Sequence, residues 1–347
     1  MIRALLFSLC GAGLVAPALA GVDLPPAYRP PAQPVAGRIS VWGHGSLGGK
    51  TDFIETLAKE WERGFKQHHP DIEFENRLHG TASAIGALYT GVGDVALLGR
   101  EIWANEVAAF KEVRGYAPTG VDVLTGSFDQ RNRGYALAIF VHQDNPLTGL
   151  TLAQLDAIYS VDRHRGLPAV RTWGDLGLAG AWRDRPVRLL GFALARGFAD
   201  YFADVVFAGS RKWNPELREF ADDPGSKGGA TDGGQKMLDA LAQDRGGIAI
   251  SGMLYRHPEV RPVAIARDAA GPFVAPTREN VLNHTYPFTR ILTLYIDRRP
   301  GAPVAPHLRE FLRYILSREA QQAVLDRGGG YLPMLRPFAE HELRKLD

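Results

Sequence analysis

Arg38-Ile39-Ser40-Val41-Trp42-Gly43-His44-Gly45-Ser46-Leu47-Gly48-Gly49-Lys50-Thr51 reads as a strand, a glycine-rich loop and the opening of a helix. Arg38–Trp42 is the strand. From Thr51 to His68, Phe53, Leu57, Trp61 and Phe65 recur at four-residue spacing and form one apolar helix face, which Pro70 ends. The same alternation continues downstream. Asp71–Phe74 reads as a strand, Thr81–Tyr89 as a helix and Asp94–Leu98 as a buried strand. Tyr135–Val141, Val187–Gly191 and Gly247–Ile250 follow as strands. Leu152–Tyr159, Phe198–Phe207 and Asp232–Ala242 read as helices, and Leu308, Phe311, Leu312, Ile315 and Leu316 mark an amphipathic helix near the C-terminus. This alternation predicts an α/β fold whose sheets are mostly parallel and flanked by helices. No internal repeat is visible.

The loop after the first strand admits several motifs. From Gly43 it matches G-x-G-x-x-G, with Glu73 or Glu75 as the ribose-binding acid, somewhat far along the chain. Its end, Gly49-Lys50-Thr51, resembles a P-loop terminus, but His44 stands where that pattern needs glycine. G-x-S-x-G fails because His44 lies two residues before Ser46. The reading that remains is an anion cradle of the Gly45 and Ser46 amides and the Ser46 hydroxyl at a helix start, against a glycine-rich turn without ligand. His44 lies beside this cradle and could donate to an oxyanion.

Three further loops could face the same ligand. Thr81 and Ser83 offer hydroxyls at a helix start, although Thr81 could serve only as an N-cap. Arg100 follows the third strand and suits bidentate capture of phosphate or carboxylate, unless it pairs with Glu101 or Glu106. Arg196 and Gly197 open the helix that carries Tyr201, Phe202, Val205 and Val206. The other histidines are scattered without ligand spacing, so neither a metal nor a cofactor is expected. No nucleophile–base–orienter series is visible, so the chain reads as a binder and not an enzyme.

Residues 1–20 read as an export signal. Arg3 begins it, an apolar run follows from Ala4 to Val15, and Ala18-Leu19-Ala20 fits a cleavage site. The one cysteine, Cys10, lies inside this segment behind a poor lipobox, Phe7-Ser8-Leu9. Cleavage leaves 327 residues without cysteine, with 39 basic against 38 acidic side chains and a net charge of +1. That balance excludes an electrostatic nucleic-acid binder. The expected product is periplasmic or secreted. Five prolines between Leu24 and Gly37 preclude regular structure and suggest a loose tether.

Taken in order, these pieces resemble the phosphate-binding proteins of ABC importers, a branch of the type II periplasmic binding proteins. The likeness runs from Arg38 to Pro333. It rests on Gly43-His44-Gly45-Ser46, Gly80-Thr81-Ala82-Ser83, Gly93-Asp94-Val95-Ala96, Asn145-Pro146-Leu147, Trp173-Gly174-Asp175-Leu176-Gly177, Gly247-Ile248-Ala249-Ile250-Ser251-Gly252 and Tyr286-Pro287-Phe288-Thr289-Arg290. The resemblance implies two lobes with a ligand cleft between them. It divides the chain into a signal (1–20), a linker (21–37), lobe I (38–124 and 283–347) and lobe II (125–282). It further implies a monomer that captures phosphate or another small oxyanion and docks on an inner-membrane permease. Gly45, Ser46, Thr81 and Ser83 would be the first-lobe ligands.

Two departures stand out. Gly99-Arg100 occupies the place after the third strand where phosphate-specific members usually carry an acid. Phe192-Ala193-Leu194-Ala195-Arg196-Gly197-Phe198 stands where they carry a Ser-Gly-Thr turn with an arginine upstream, and only the glycine remains. The alternative expectation is therefore an envelope sensor or scaffold of the same fold, with another ligand or none.

Overall fold

The computed structural model describes residues 21–45, 53–195 and 197–347. The export signal expected at 1–20, Cys10 included, lies outside them, as do Ser46 and Arg196. In chain order the strands are β1 (Gly37–Gly43), β2 (Ile72–Arg77), β3 (Val95–Leu97), β4 (Thr119–Thr125), β5 (Leu137–His142), β6 (Gly149–Thr151), β7 (Arg188–Phe192), β8 (Arg218–Phe220), β9 (Gly247–Gly252), β10 (Val260–Pro262), β11 (Ala264–Ala266) and β12 (Ile291–Ile296). They form two five-stranded sheets, β2-β1-β3-β12-β4 and β10-β5-β9-β7-β8, with β6 and β11 paired separately.

The two large sheets share one plan. In the first, β1 runs parallel to β2 and β3, and β12 runs antiparallel to β3 and β4. In the second, β7 runs parallel to β8 and β9, and β5 runs antiparallel to β9 and β10. Each sheet is thus mixed, where strand–helix alternation predicts mostly parallel pairing. The antiparallel member is the strand each sheet receives when the chain arrives from the other: β5 on the way out, β12 on the way back. Such a strand enters from the side facing the other sheet and must run against its neighbours.

Each sheet has its own core, as expected of two lobes. Ile39, Leu57, Trp61, Phe65, Leu294 and Phe311 gather on the first sheet. Ile139, Trp173, Phe202, Met237 and Ile248 gather on the second. The helix expected from Thr51 spans Phe53–Lys66 and buries Leu57, Trp61 and Phe65. Helix Leu152–Tyr159 is fixed at its start by a capping box. Gln154 N–H donates to Thr151 Oγ1, and the Thr151 N–H donates to the Gln154 carboxamide oxygen.

The proline-rich segment has no regular structure before Gly37, yet it is not a loose tether. Tyr28 is buried in the first-lobe core. Its hydroxyl donates to Glu310 Oε2 at 2.9 Å and meets His69 Nε2 at 2.8 Å. The Val35 N–H donates to His69 Nδ1 at 3.0 Å, so the neutral ring keeps its proton on Nε2 and donates it to Tyr28. Tyr28 N–H also donates to Glu319, and Arg318 N–H to the Pro26 carbonyl. Proline forbids helix and strand but not packing, and one aromatic side chain with a satisfied polar network is enough to anchor an extended chain. Among the described residues no helix is long and apolar enough to cross a membrane.

Candidate ligand-binding cleft

The parallel strands of both sheets end at a cleft of about 540 Å³, within the range of small-molecule sites. Topology places a second set of residues there. β12 pairs Leu294 with Leu97 and Ile296 with Val95, so its start, next to Arg290, lies beside the end of β3. β5 pairs Leu137 with Gly252, so its start, next to Tyr135, lies beside the end of β9. Arg290 and Tyr135 therefore occupy matching places in the two lobes, and both line the cleft.

The first-lobe wall is built on close backbone contacts. Gly43 has φ +133°, and a Cβ there would lie 2.1 Å from the Leu97 carbonyl oxygen. Only glycine fits. A Cβ on Gly45 would sit 2.4 Å from Leu78 Cβ. The loops after β1, β2 and β3 thereby converge on the Thr81 hydroxyl. Gly99 N–H donates to Thr81 Oγ1 at 3.2 Å, and His44 Nδ1 lies 3.2 Å from the same oxygen. His44, Thr81 and Gly99 all face the cleft. The Ser83 hydroxyl instead donates to the Gly80 carbonyl at 2.9 Å.

Among the described residues three arginines reach the cleft, each already held by a carboxylate. Arg100 forms a bidentate pair with Glu106, both contacts 2.8 Å, and its guanidinium stacks on Trp103. Arg131 pairs in the same way with Asp232, both contacts 2.8 Å. Arg290, 6% exposed, pairs with Glu101 at 2.8 and 2.5 Å and lies near the rings of Phe198 and Tyr201. Burial alone would raise the Asp232 carboxyl. Hydrogen bonds from Ser226 and Arg131 outweigh it and hold the group below its ordinary value. These pairs fix the guanidinium planes and cancel most of their charge.

The second-lobe wall is aromatic. Phe198 follows Gly197 at the start of helix Gly197–Val206 and stacks on Tyr135 and Phe192, with ring centroids 4.4 and 5.1 Å apart. Phe220 and Tyr255 complete this face. The tyrosine hydroxyls are used internally. Tyr135 bonds to Tyr255, and Tyr255 donates to Asp232 at 3.2 Å. Burial, the Tyr255 charge and that bond push the Tyr135 phenol well above its usual range.

Of the candidates read from the sequence, His44, Thr81, Arg100 and Gly197 come together at the cleft. Gly45 acts through its close approach to Leu78, and Ser83 is turned back on its own loop. Arg100 has the Glu106 partner that was the competing expectation for it. Arg131, Tyr135, Asp222, Tyr255 and Arg290 also line the cleft and were not among the candidates read from the sequence, although Arg290 directly precedes β12 and Tyr135 stands two residues ahead of β5. Among the described residues no group of three or more His, Cys, Asp or Glu could hold a metal ion.

Comparison with known proteins agrees with this architecture. A family model described as a PBP superfamily domain matches residues 47–319. Over 348 residues the chain is 33% identical to the phosphate-binding protein PstS of Pseudomonas aeruginosa, covering 100% of this chain and 98% of that protein. Protein SphX of Synechococcus elongatus is 24% identical over 284 residues, 81% of this chain and 73% of that one. Among solved structures, PstS from Borrelia burgdorferi is similar with a TM-score of 0.54 at 12% identity, covering 85% of this chain and 98% of that one. An ABC-type phosphate transport receptor from Vibrio cholerae has a TM-score of 0.51 at 17% identity, covering 86% and 100%. The structural likenesses speak for the fold, and the full-length identity adds the family. The chain belongs to the PBP superfamily and, within it, to the family of the phosphate-binding protein PstS.

Proposed function

We propose that this protein captures a small oxyanion, phosphate first among them, in the interlobe cleft, and delivers it to an ABC permease. The observation that carries the reading is the convergence of His44, Thr81 and the Gly99 backbone on one hydroxyl, across the cleft from the helix that begins at Gly197. Helix starts and hydroxyls bind anions without needing a free cation. Full-length identity to a protein named phosphate-binding supports the choice of ligand. The division into lobe I (38–124 and 283–347) and lobe II (125–282), export after cleavage at Ala20, action as a monomer and the absence of catalysis belong to the same reading.

In this mechanism the anion enters the open cleft and meets the Thr81 loop. Closure then brings the second-lobe helix start onto it. Ser46 and Arg196, outside the described residues, adjoin these two loops in sequence and are the remaining proposed ligands. No bond is broken. The test is a crystal structure of the mature chain grown with phosphate. Density within hydrogen-bond distance of Thr81 and of the helix start at Gly197 is expected. Clear density for the protein with phosphate bound elsewhere, or not at all, would contradict the site.

A further inference from the structure

Arg290 stands where four parts of the molecule meet. Its Nε and Nη2 donate to the two carboxylate oxygens of Glu101, at 2.8 and 2.5 Å. Glu101 lies two residues past Gly99, whose amide donates to Thr81 in the first-lobe wall. The Arg290 guanidinium carbon lies 5.0 Å from the ring centre of Phe198 and 4.9 Å from that of Tyr201, both on the second-lobe helix that begins at Gly197. That helix is also tied to the residue before, because the Tyr201 hydroxyl donates to the Thr289 carbonyl at 2.8 Å. The Arg290 carbonyl accepts from Gly126 N–H at 2.8 Å. A Cβ on Gly126 would lie 3.1 Å from that carbonyl oxygen and 2.2 Å from the Gly134 carbonyl oxygen. Gly126 and Arg290 belong to the two segments that cross between the sheets. Both crossings, the first-lobe loop and the second-lobe helix therefore share one residue.

A buried guanidinium held this way adds little net stability, because desolvation offsets the attraction to its partner. What it adds is geometry. The planar fork meets a carboxylate in one orientation and offers its flat face to rings. Resting on the oxyanion reading above, we propose that Arg290 is a positioning residue for anion capture: paired with Glu101, it sets the helix start at Gly197 opposite the Thr81 loop and couples the two halves of the site. With Nε and Nη2 spent on Glu101, its role is to place other groups and not to hold the anion. Hydrogen bonds weaken steeply with misalignment, so a small turn of that helix would cost the anion its contacts on one side.

Calorimetric titration with inorganic phosphate tests this on the mature wild-type chain, Glu101→Gln, Phe198→Leu and the double variant. Glu101→Gln leaves the Arg290 charge in the cleft and removes the partner of its fork. Phe198→Leu keeps apolar bulk and removes the ring. About tenfold weaker binding is expected in each single variant, and little further loss in the double variant, because both changes act through one residue. A ligand held in reserve by Glu101 would behave in the opposite way, and Glu101→Gln would then bind phosphate more tightly. Unchanged or raised affinity in Glu101→Gln would overturn the proposal, and so would losses that simply add in the double variant. A merely structural role would lower the urea midpoint and leave the affinity of the folded protein where it was. Arg290→Lys decides the matter if Glu101→Gln does not fold. It keeps the charge without the planar fork, and binding at wild-type strength would overturn the proposal. Absence of phosphate binding by the folded wild-type chain would overturn the oxyanion reading together with it.

Discussion

Thr81 stands where three loops meet, and its one hydroxyl serves His44 and the Gly99 amide together. Thr81→Val keeps the shape and removes that oxygen. The expected result is a ten- to hundredfold weaker oxyanion affinity, about the worth of one hydrogen bond to a charged group. Ser83→Ala should change the same titration less than about threefold, because the Ser83 hydroxyl is spent on Gly80. Equal losses in the two variants would contradict the assignment. The loop glycines were legible from their density and position. Their separate roles were not. Gly43 is required by the Leu97 carbonyl and Gly45 by Leu78, contacts between segments far apart in sequence. The pairings of Arg131 and Arg290 were hidden for the same reason, whereas Arg100 pairs with Glu106 only six residues on, one of the partners expected for it. Glu101 and Arg290 are 189 residues apart, and no local pattern joins them.

Among the elements, strongly periodic ones were readable. The helix after the first loop and helix Leu152–Tyr159 fall where apolar spacing and the Thr151 cap place them. Strand direction was not readable. An antiparallel strand brings its beginning to the cleft, so Tyr135 and Arg290 line it through topology alone. The N-terminal arm was misread because composition reports local conformation and not packing. Its anchor makes a pH prediction. Burial lowers the proton affinity of His69, and it pushes His284, bonded to Thr125 Oγ1 at 2.7 Å, down to about 4. Both rings are held neutral in the folded protein and charge in the unfolded chain near pH 6.5. Their contribution is therefore complete above about pH 6.5. It falls as acid approaches the folded value, near 4 for His284. Urea melts at pH 5 and pH 7.5 should show lower stability at pH 5. His284→Asn should shrink that difference, and an unchanged difference would contradict the assignment.

For the whole molecule, the two-lobe architecture was legible from strand–helix alternation and the ordered loops. The shared sheet plan emerges only from pairing, since the two lobes show no sequence repeat. Two segments near Thr125 and Arg290 join the lobes, and the Thr125 N–H also donates to Leu332. This narrow connection suits hinge closure. Small-angle scattering with saturating phosphate should show a smaller radius of gyration than without it. An unchanged radius in protein shown to bind would favour a sensor or scaffold that does not close.

The most direct measurement is calorimetric titration of the mature, ligand-stripped chain with inorganic phosphate, and with sulfate as competitor. The account predicts saturable binding at one site per chain, weakened by Thr81→Val. Folded protein that takes up neither phosphate nor any other oxyanion would contradict it.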